Sequence, residues 1–142
     1  MTSSIRPRSI NLERTSVQVI GEETLLYDEL NHKAWCLNRS SACVWRLCDG
    51  QKTVSQIAVA AATELDAPMT AEIVMVALDE LREKNLIEPD IATILPEGVT
   101  RRELIGRAGL AAAALLPVVA SVLAPPAHAQ SGTFTGSARH RR

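Results

Sequence analysis

The chain has 142 residues, a formal net charge of −1 and 46% apolar residues, but only one Phe, one Tyr and two Trp. This length allows one small domain with an additional segment, and the core must consist mainly of Leu, Ile, Val and Ala. Residues 13–90 contain 14 acidic and 7 basic residues, whereas residues 101–142 contain six Arg and one Glu. Because an acidic domain is a poor match for a phosphate backbone, nucleic-acid binding by the domain is disfavoured.

The N-terminal region, residues 1–15, is polar and is expected to form a flexible arm. It contains arginines but no apolar run, so we expect no N-terminal signal peptide and a cytoplasmic domain. Cys36, Cys43 and Cys48 are then expected to be reduced thiols. Together with His32 they do not predict a metal site, since Cys43 and Cys48 are five residues apart and would lie on different faces of a helix. No cofactor is expected.

Three short runs are typical of β-strands, at residues 17–20, 24–28 and 33–37. Gly21-Glu22-Glu23 and Leu30-Asn31-His32 separate them as turns. The three strands predict a small antiparallel sheet, which needs helices on one face to be stable.

Helices are predicted directly after the third strand. Asn38, Ser40 and Ser41 are candidate caps for a first helix that ends at Asp49-Gly50. Thr53 and Gln56 form a capping-box pattern for a second helix, Val54 to Leu65. A third helix is expected from about Thr70 to Lys84, and Pro89 ends the domain. Strands followed by helices predict an α+β fold of winged-helix type, with the helices on one face of the sheet.

Two tryptophans and an acidic cluster are candidate functional groups. Trp45 lies in the apolar stripe of the first helix and is expected in the core, whereas Trp35 is expected to be more open. Asp79, Glu80 and Glu83 are accompanied by no nucleophile or base, so catalysis is not predicted.

The pattern of these helices and their corners resembles the pyrroloquinoline quinone biosynthesis protein D (PqqD) family. The resemblance covers about residues 16–89, with Asn85 where the family usually has Gly. The matching positions are Leu37, Asn38, Ser41-Ala42, Trp45, Leu47, Asp49, Gly50, Thr53, Val54, Ile57, Ala58, Leu78, Leu81, Leu86 and Ile87.

The resemblance implies a non-catalytic module that binds a precursor (leader) peptide and presents it to a modifying enzyme, often of the radical S-adenosylmethionine type. The peptide would add as a strand to the edge of the third strand and lie beside the third helix, by β-augmentation. This hypothesis requires an unpaired edge on the third strand. The implied peptide-binding residues are Lys33, Ala34, Trp35, Cys36 and Leu37 on the strand and Ile73, Val76, Ala77 and Glu80 on the helix.

The C-terminal region begins after a linker, residues 91–100, and contains an apolar segment, 101–129, and a basic disordered tail, 130–142. Thr100-Arg101-Arg102 and the small residues Ala127 and Ala129 resemble parts of a twin-arginine export signal. Three interpretations stay open for this predicted helical segment. It is a membrane anchor through residues 104–129 on the inner face of the membrane, an apolar helix that docks on a partner or a bilayer, or a precursor-like peptide that releases residues 130–142.

Two functions from different classes are therefore retained. The first is the peptide-binding chaperone. The second is a small winged-helix adaptor or regulator that binds a protein or DNA, attached to the membrane in one version of the hypothesis.

Overall fold

The computed structural model describes residues 5–10, 13, 15–88 and 95–122. The predictions for Pro89, for much of the linker 91–100 and for residues 123–142 lie outside this part of the chain. The elements are β1 (Thr15–Ile20), β2 (Glu23–Asp28), β3 (Lys33–Leu37), α1 (Arg39–Leu47), α2 (Val54–Leu65), α3 (Ala71–Glu83), α4 (Arg101–Ala108), a 3₁₀ helix (Leu110–Leu115) and β4 (Val119–Val122).

The sheet is antiparallel throughout and has the order β1-β2-β3-β4. The prediction of an α+β fold is confirmed, but the prediction of three strands is wrong, because residues 119–122 add a fourth strand beside β3. The three predicted helices are present, and a fourth, α4, lies in the C-terminal segment that was predicted to be helical. The winged-helix comparison stays a prediction.

The helix ends follow the polar residues that were predicted to cap them. Asn38 is the N-cap of α1, and its side chain accepts a hydrogen bond of 3.1 Å from the N–H of Ser41. Thr53 and Gln56 form the predicted capping box of α2. The corner between these helices depends on Gly50, whose φ of +78° is accessible to glycine at little cost.

The core lies between the sheet and helices α1, α2 and α3. Leu26, Trp35 and Leu37 supply it from the sheet. Trp45 is buried as predicted, and its Nε1 donates a 3.0 Å hydrogen bond to the carbonyl of Leu86. The prediction that Trp35 is more open is wrong: it is 7% exposed, because its side chain packs in the core between the sheet and the helices.

Residues 5–10 of the N-terminal arm contact the domain. Pro7 is buried, and its carbonyl accepts a 2.9 Å hydrogen bond from the N–H of Gly50. The N–H of Ser9 donates to the carbonyl of Cys48 at 2.9 Å. These bonds fix the arm across the end of α1.

The apolar C-terminal segment is not one helix. Thr100 and Glu103 form a capping box that starts α4, and the helix ends at Ala108 before Gly109, whose φ is +79°. The chain then passes through the 3₁₀ helix and extends into β4. Across the described ranges, none of the helices combines the length and the apolar character needed to cross a membrane.

Candidate functional site

The nine residues predicted to bind a peptide lie on β3 and on α3. The five strand residues form β3, and the helix residues Ile73, Val76 and Ala77 are at most 2% exposed. Glu80 is half-buried. The edge of β3 and the side of α3 are the two borders of the predicted groove.

The expectation of an unpaired edge on β3 is wrong. The chain's own strand β4 runs antiparallel to β3 and covers this edge. The paired residues are Ala34 with Val122, Trp35 with Ser121, Cys36 with Ala120, and Leu37 with Val119.

Asn38 holds the chain at the entrance to β4. Its Nδ2 donates a 2.7 Å hydrogen bond to the carbonyl of Leu116, and its Oδ1 accepts one of 3.1 Å from the N–H of Val118. Its backbone N–H donates to the carbonyl of Val118, also at 3.1 Å. One residue thus caps α1 and clamps the segment that leads into β4.

The direction of each N–H along β4 follows from these bonds. Ladder bonds in an antiparallel pair recur at alternate residues, so the bond at Val118 implies that Ala120 and Val122 direct their N–H groups toward β3. Val119 and Ser121 direct theirs away from it. In agreement, the N–H of Val119 donates to Oε2 of Glu80 at 2.9 Å.

Glu80 also forms an ion pair with Arg101, the first residue of α4. Burial raises the pKa of the Glu80 carboxyl, and this effect outweighs the opposing influence of Arg101 and of the Val119 N–H. A carboxylate that is partly removed from water needs such partners. Glu80 therefore joins α3 to both α4 and β4.

Apolar contacts fill the groove beneath β4. Leu104 on α4 is 1% exposed and Val119 is 8% exposed, and both belong to the core cluster that contains Ile73 and Val76. Two residues of the segment considered as a membrane anchor are therefore buried against the domain. Residues 101–122 therefore occupy the position that was predicted for a foreign peptide.

A pocket of about 360 Å³ remains open beside the end of β4. Residues from the β2–β3 turn, from β3, from the end of α3 and from β4 line it: His32, Lys33, Ala34, Trp35, Glu83, Lys84, Asn85, Ser121 and Val122. Both charged and apolar side chains therefore line the pocket. The groove thus continues past the last described residue of β4.

The three cysteines are free, and two are buried. Burial raises the pKa of Cys43 to about 11 and that of Cys48 to about 12. The Sγ of Cys36 donates a 3.4 Å hydrogen bond to Glu23, and burial is the main cause of its raised pKa. These shifts keep the thiols protonated near neutral pH, which is the opposite of what a nucleophile needs.

Four residues of this arrangement were missed in the sequence, namely Asn38 as a clamp, Arg101, Leu104 and Val119. Two features of the sequence could have indicated these residues. Thr100 and Glu103 have capping-box spacing, which predicts the start of a short helix rather than an export signal. Pro117 breaks a helix, and the β-branched Val118, Val119 and Val122 that follow favour a strand.

Comparison with known protein families gives a match to the central part of the chain. The model of the family described as coenzyme PQQ synthesis protein D (PqqD) matches residues 23–87. No curated protein and no solved structure is significantly similar to the chain. The matched range includes β2, β3 and α1 to α3, and it leaves out α4 and β4. The resemblance found in the sequence is confirmed, since residues 23–87 are similar to the PqqD family.

Proposed function

We propose that this chain is a non-catalytic peptide-binding chaperone, which holds a precursor peptide as an added strand and presents it to a modifying enzyme of the radical S-adenosylmethionine type. The observation that carries the proposal is the groove between β3 and α3, which accommodates one extended strand. Residues 119–122 lie in it as such a strand.

The groove offers the two kinds of contact that strand addition uses. Backbone groups of Ala34 and Cys36 supply ladder hydrogen bonds, which give affinity with little dependence on sequence. Selectivity comes from side chains: the apolar surface that receives Val119, and the Glu80 carboxylate that accepts a backbone N–H. The pocket beside Val122 provides space for further residues of a bound peptide.

Occupation of the edge by β4 sets a condition on this function. A peptide from another chain can pair with β3 only after β4 has left, because one edge accepts one strand. Binding must therefore be measured on a variant in which β4 is released as well as on the natural chain.

Ala120→Pro is the releasing substitution, since it removes an N–H directed toward β3. Ser121→Pro is the matched control, because the N–H of Ser121 points away from β3. Fluorescence anisotropy with labelled leader peptides encoded beside the gene is expected to give saturable binding to the Ala120→Pro chain. Folding of each variant is checked by circular dichroism.

A folded Ala120→Pro chain that binds neither these peptides nor a peptide of residues 116–142 would contradict the proposal. Retardation of duplex DNA, with a steep dependence on salt, would favour the adaptor or regulator instead.

A further inference from the structure

We propose that the groove's ligand is a segment of this same chain: residues 116–122 are bound in cis, and the residues after Val122 are the client that the module presents. This inference rests on the proposed function. It differs from it in placing the binding module and its peptide on one polypeptide.

The first argument is that β4 is held on both of its edges. On one side it pairs with β3, and on the other the N–H of Val119 donates to Glu80. Asn38 makes three hydrogen bonds to Leu116 and Val118 at its entrance. Backbone pairing on one edge and hydrogen bonds to side chains at the entrance and on the other edge are what a peptide site provides for its ligand.

The second argument is that β4 is delivered by an anchored helix. Leu104 of α4 is buried, and Arg101 is paired with Glu80. A tethered strand competes at an effective concentration that reaches the order of 1 mM for a short connection. If β4 on its own would bind the groove with a Kd near 1 µM, any free peptide would lose roughly a thousandfold in apparent affinity against the tethered strand. The site therefore favours its own chain over a peptide in solution.

The third argument is the order of residues beyond the groove. β4 ends at Val122, which pairs with Ala34 and is 42% exposed. The sequence continues for 20 residues and carries Ser131, Thr133, Thr135 and Ser137 among glycines, followed by a basic end. Under the proposed function, the segment that follows the bound strand is the part that is presented to the enzyme. The client class is thus a Ser/Thr- and Gly-rich peptide.

The test uses the full chain and a fluorescein-labelled synthetic peptide of residues 116–142. The Ala120→Pro chain is expected to bind this peptide saturably. The natural chain and the Ser121→Pro control should bind it at least about 100-fold more weakly, because their own strand fills the groove. If Ala120→Pro does not fold, Val119→Asp releases the strand by placing a charge at a buried position.

A second measurement asks whether β4 lies on β3 in solution. Ala120→Cys places a thiol opposite Cys36, and these paired positions suit a disulfide. Mild oxidation is expected to join them within one chain, and the oxidised protein should then bind no added peptide. Reduction with dithiothreitol should return it to the behaviour of the natural chain.

Four outcomes would overturn the inference. If the natural chain binds the 116–142 peptide as tightly as the released chain, the groove is not closed in cis. If the oxidised Ala120→Cys chain forms no intramolecular disulfide, β4 does not lie on β3. If the released chain binds a neighbouring leader peptide but not the 116–142 peptide, β4 is a displaceable lid, and the proposed function stands while this inference fails. A released, folded chain that binds neither peptide would refute both.

Discussion

Oε2 of Glu80 accepts a 2.9 Å hydrogen bond from the backbone N–H of Val119. The two residues lie on α3 and β4, and the same carboxylate pairs with Arg101. A single side chain on the matched domain thus holds two elements that lie outside the family match.

Glu80→Gln is expected to weaken this junction. The amide oxygen can still accept from Val119, but the ion pair with Arg101 is lost, and the Glu80 side chain is 20% exposed. The neutral amide avoids the cost of burying a carboxylate but leaves the charge of Arg101 uncompensated, and we expect the second effect to prevail, with a loss of about 1 kcal/mol in the free energy of unfolding. Urea denaturation measures it. Glu83→Gln, at an exposed position, is the control. Equal stability of the two variants would contradict the role given to Glu80.

Asn38 allows the clamp to be separated from the helix cap. Asn38→Ser keeps a good N-cap but loses the Nδ2 donor to Leu116, and the shorter side chain no longer reaches Val118. We expect it to cost about 1–2 kcal/mol in the free energy of unfolding. Asn38→Ala should cost about 1 kcal/mol more, because the cap of α1 is lost as well. Thermal and urea unfolding test this order. An Asn38→Ser chain as stable as the natural protein would exclude the clamp.

Substitutions at Gly50 and Gly98 separate the cost of backbone strain from the cost of a steric clash. Both have a φ of +78°, but a Cβ on Gly50 would lie 2.5 Å from Nε of Arg8, whereas nothing lies within 4 Å at Gly98. Gly98→Ala should cost about 1 kcal/mol from the left-handed conformation alone. Gly50→Ala should cost more, since Arg8 must also move. The free energies of unfolding of the two variants test this difference. Equal losses would mean that the Arg8 side chain moves aside without cost.

The buried thiols should react in a predictable order. The pKa of Cys43 is raised from 9.0 to about 11, so at pH 8 its thiolate is about 100-fold scarcer than that of an unperturbed cysteine. Cys48, with a pKa of about 12, should react more slowly still. Iodoacetamide at pH 8, followed by peptide mapping, is expected to modify Cys36 first, and all three in urea. The fractions of Cys43 and Cys48 in the thiolate form rise with pH, so their labelling should accelerate between pH 8 and 10. Early labelling of Cys43 in the native chain would disprove its burial.

The local elements of the domain could be predicted because short-range signals define them. Asn38, Thr53 and Thr70 cap the three helices. Asn85, where the family usually has Gly, adopts a φ of +58°, as its short polar side chain permits. Each of these features depends on residues a few positions apart, which is the range that sequence patterns report.

The fourth strand could not be read in the same way. Residues 104–129 are apolar and rich in alanine, a composition that favours a helix or a membrane segment. The pairing of Val119–Val122 with β3 is determined by partners far away in the sequence, including Asn38 and Glu80. The pairing of β4 with β3 was therefore not predicted.

The sequence separation between Asn38 and the residues that it binds affects how the protein folds. Asn38 bonds to Leu116 and Val118, which are 78 and 80 residues away. Strands β1 to β3 are joined by tight turns and close small loops, whereas docking of β4 closes a large one at a greater entropic cost. We therefore expect a kinetic phase in which the rest of the domain has formed while this border of the sheet is still exposed. During that interval an extended chain from solution meets no competitor, so newly made protein and mature protein should differ in what they capture.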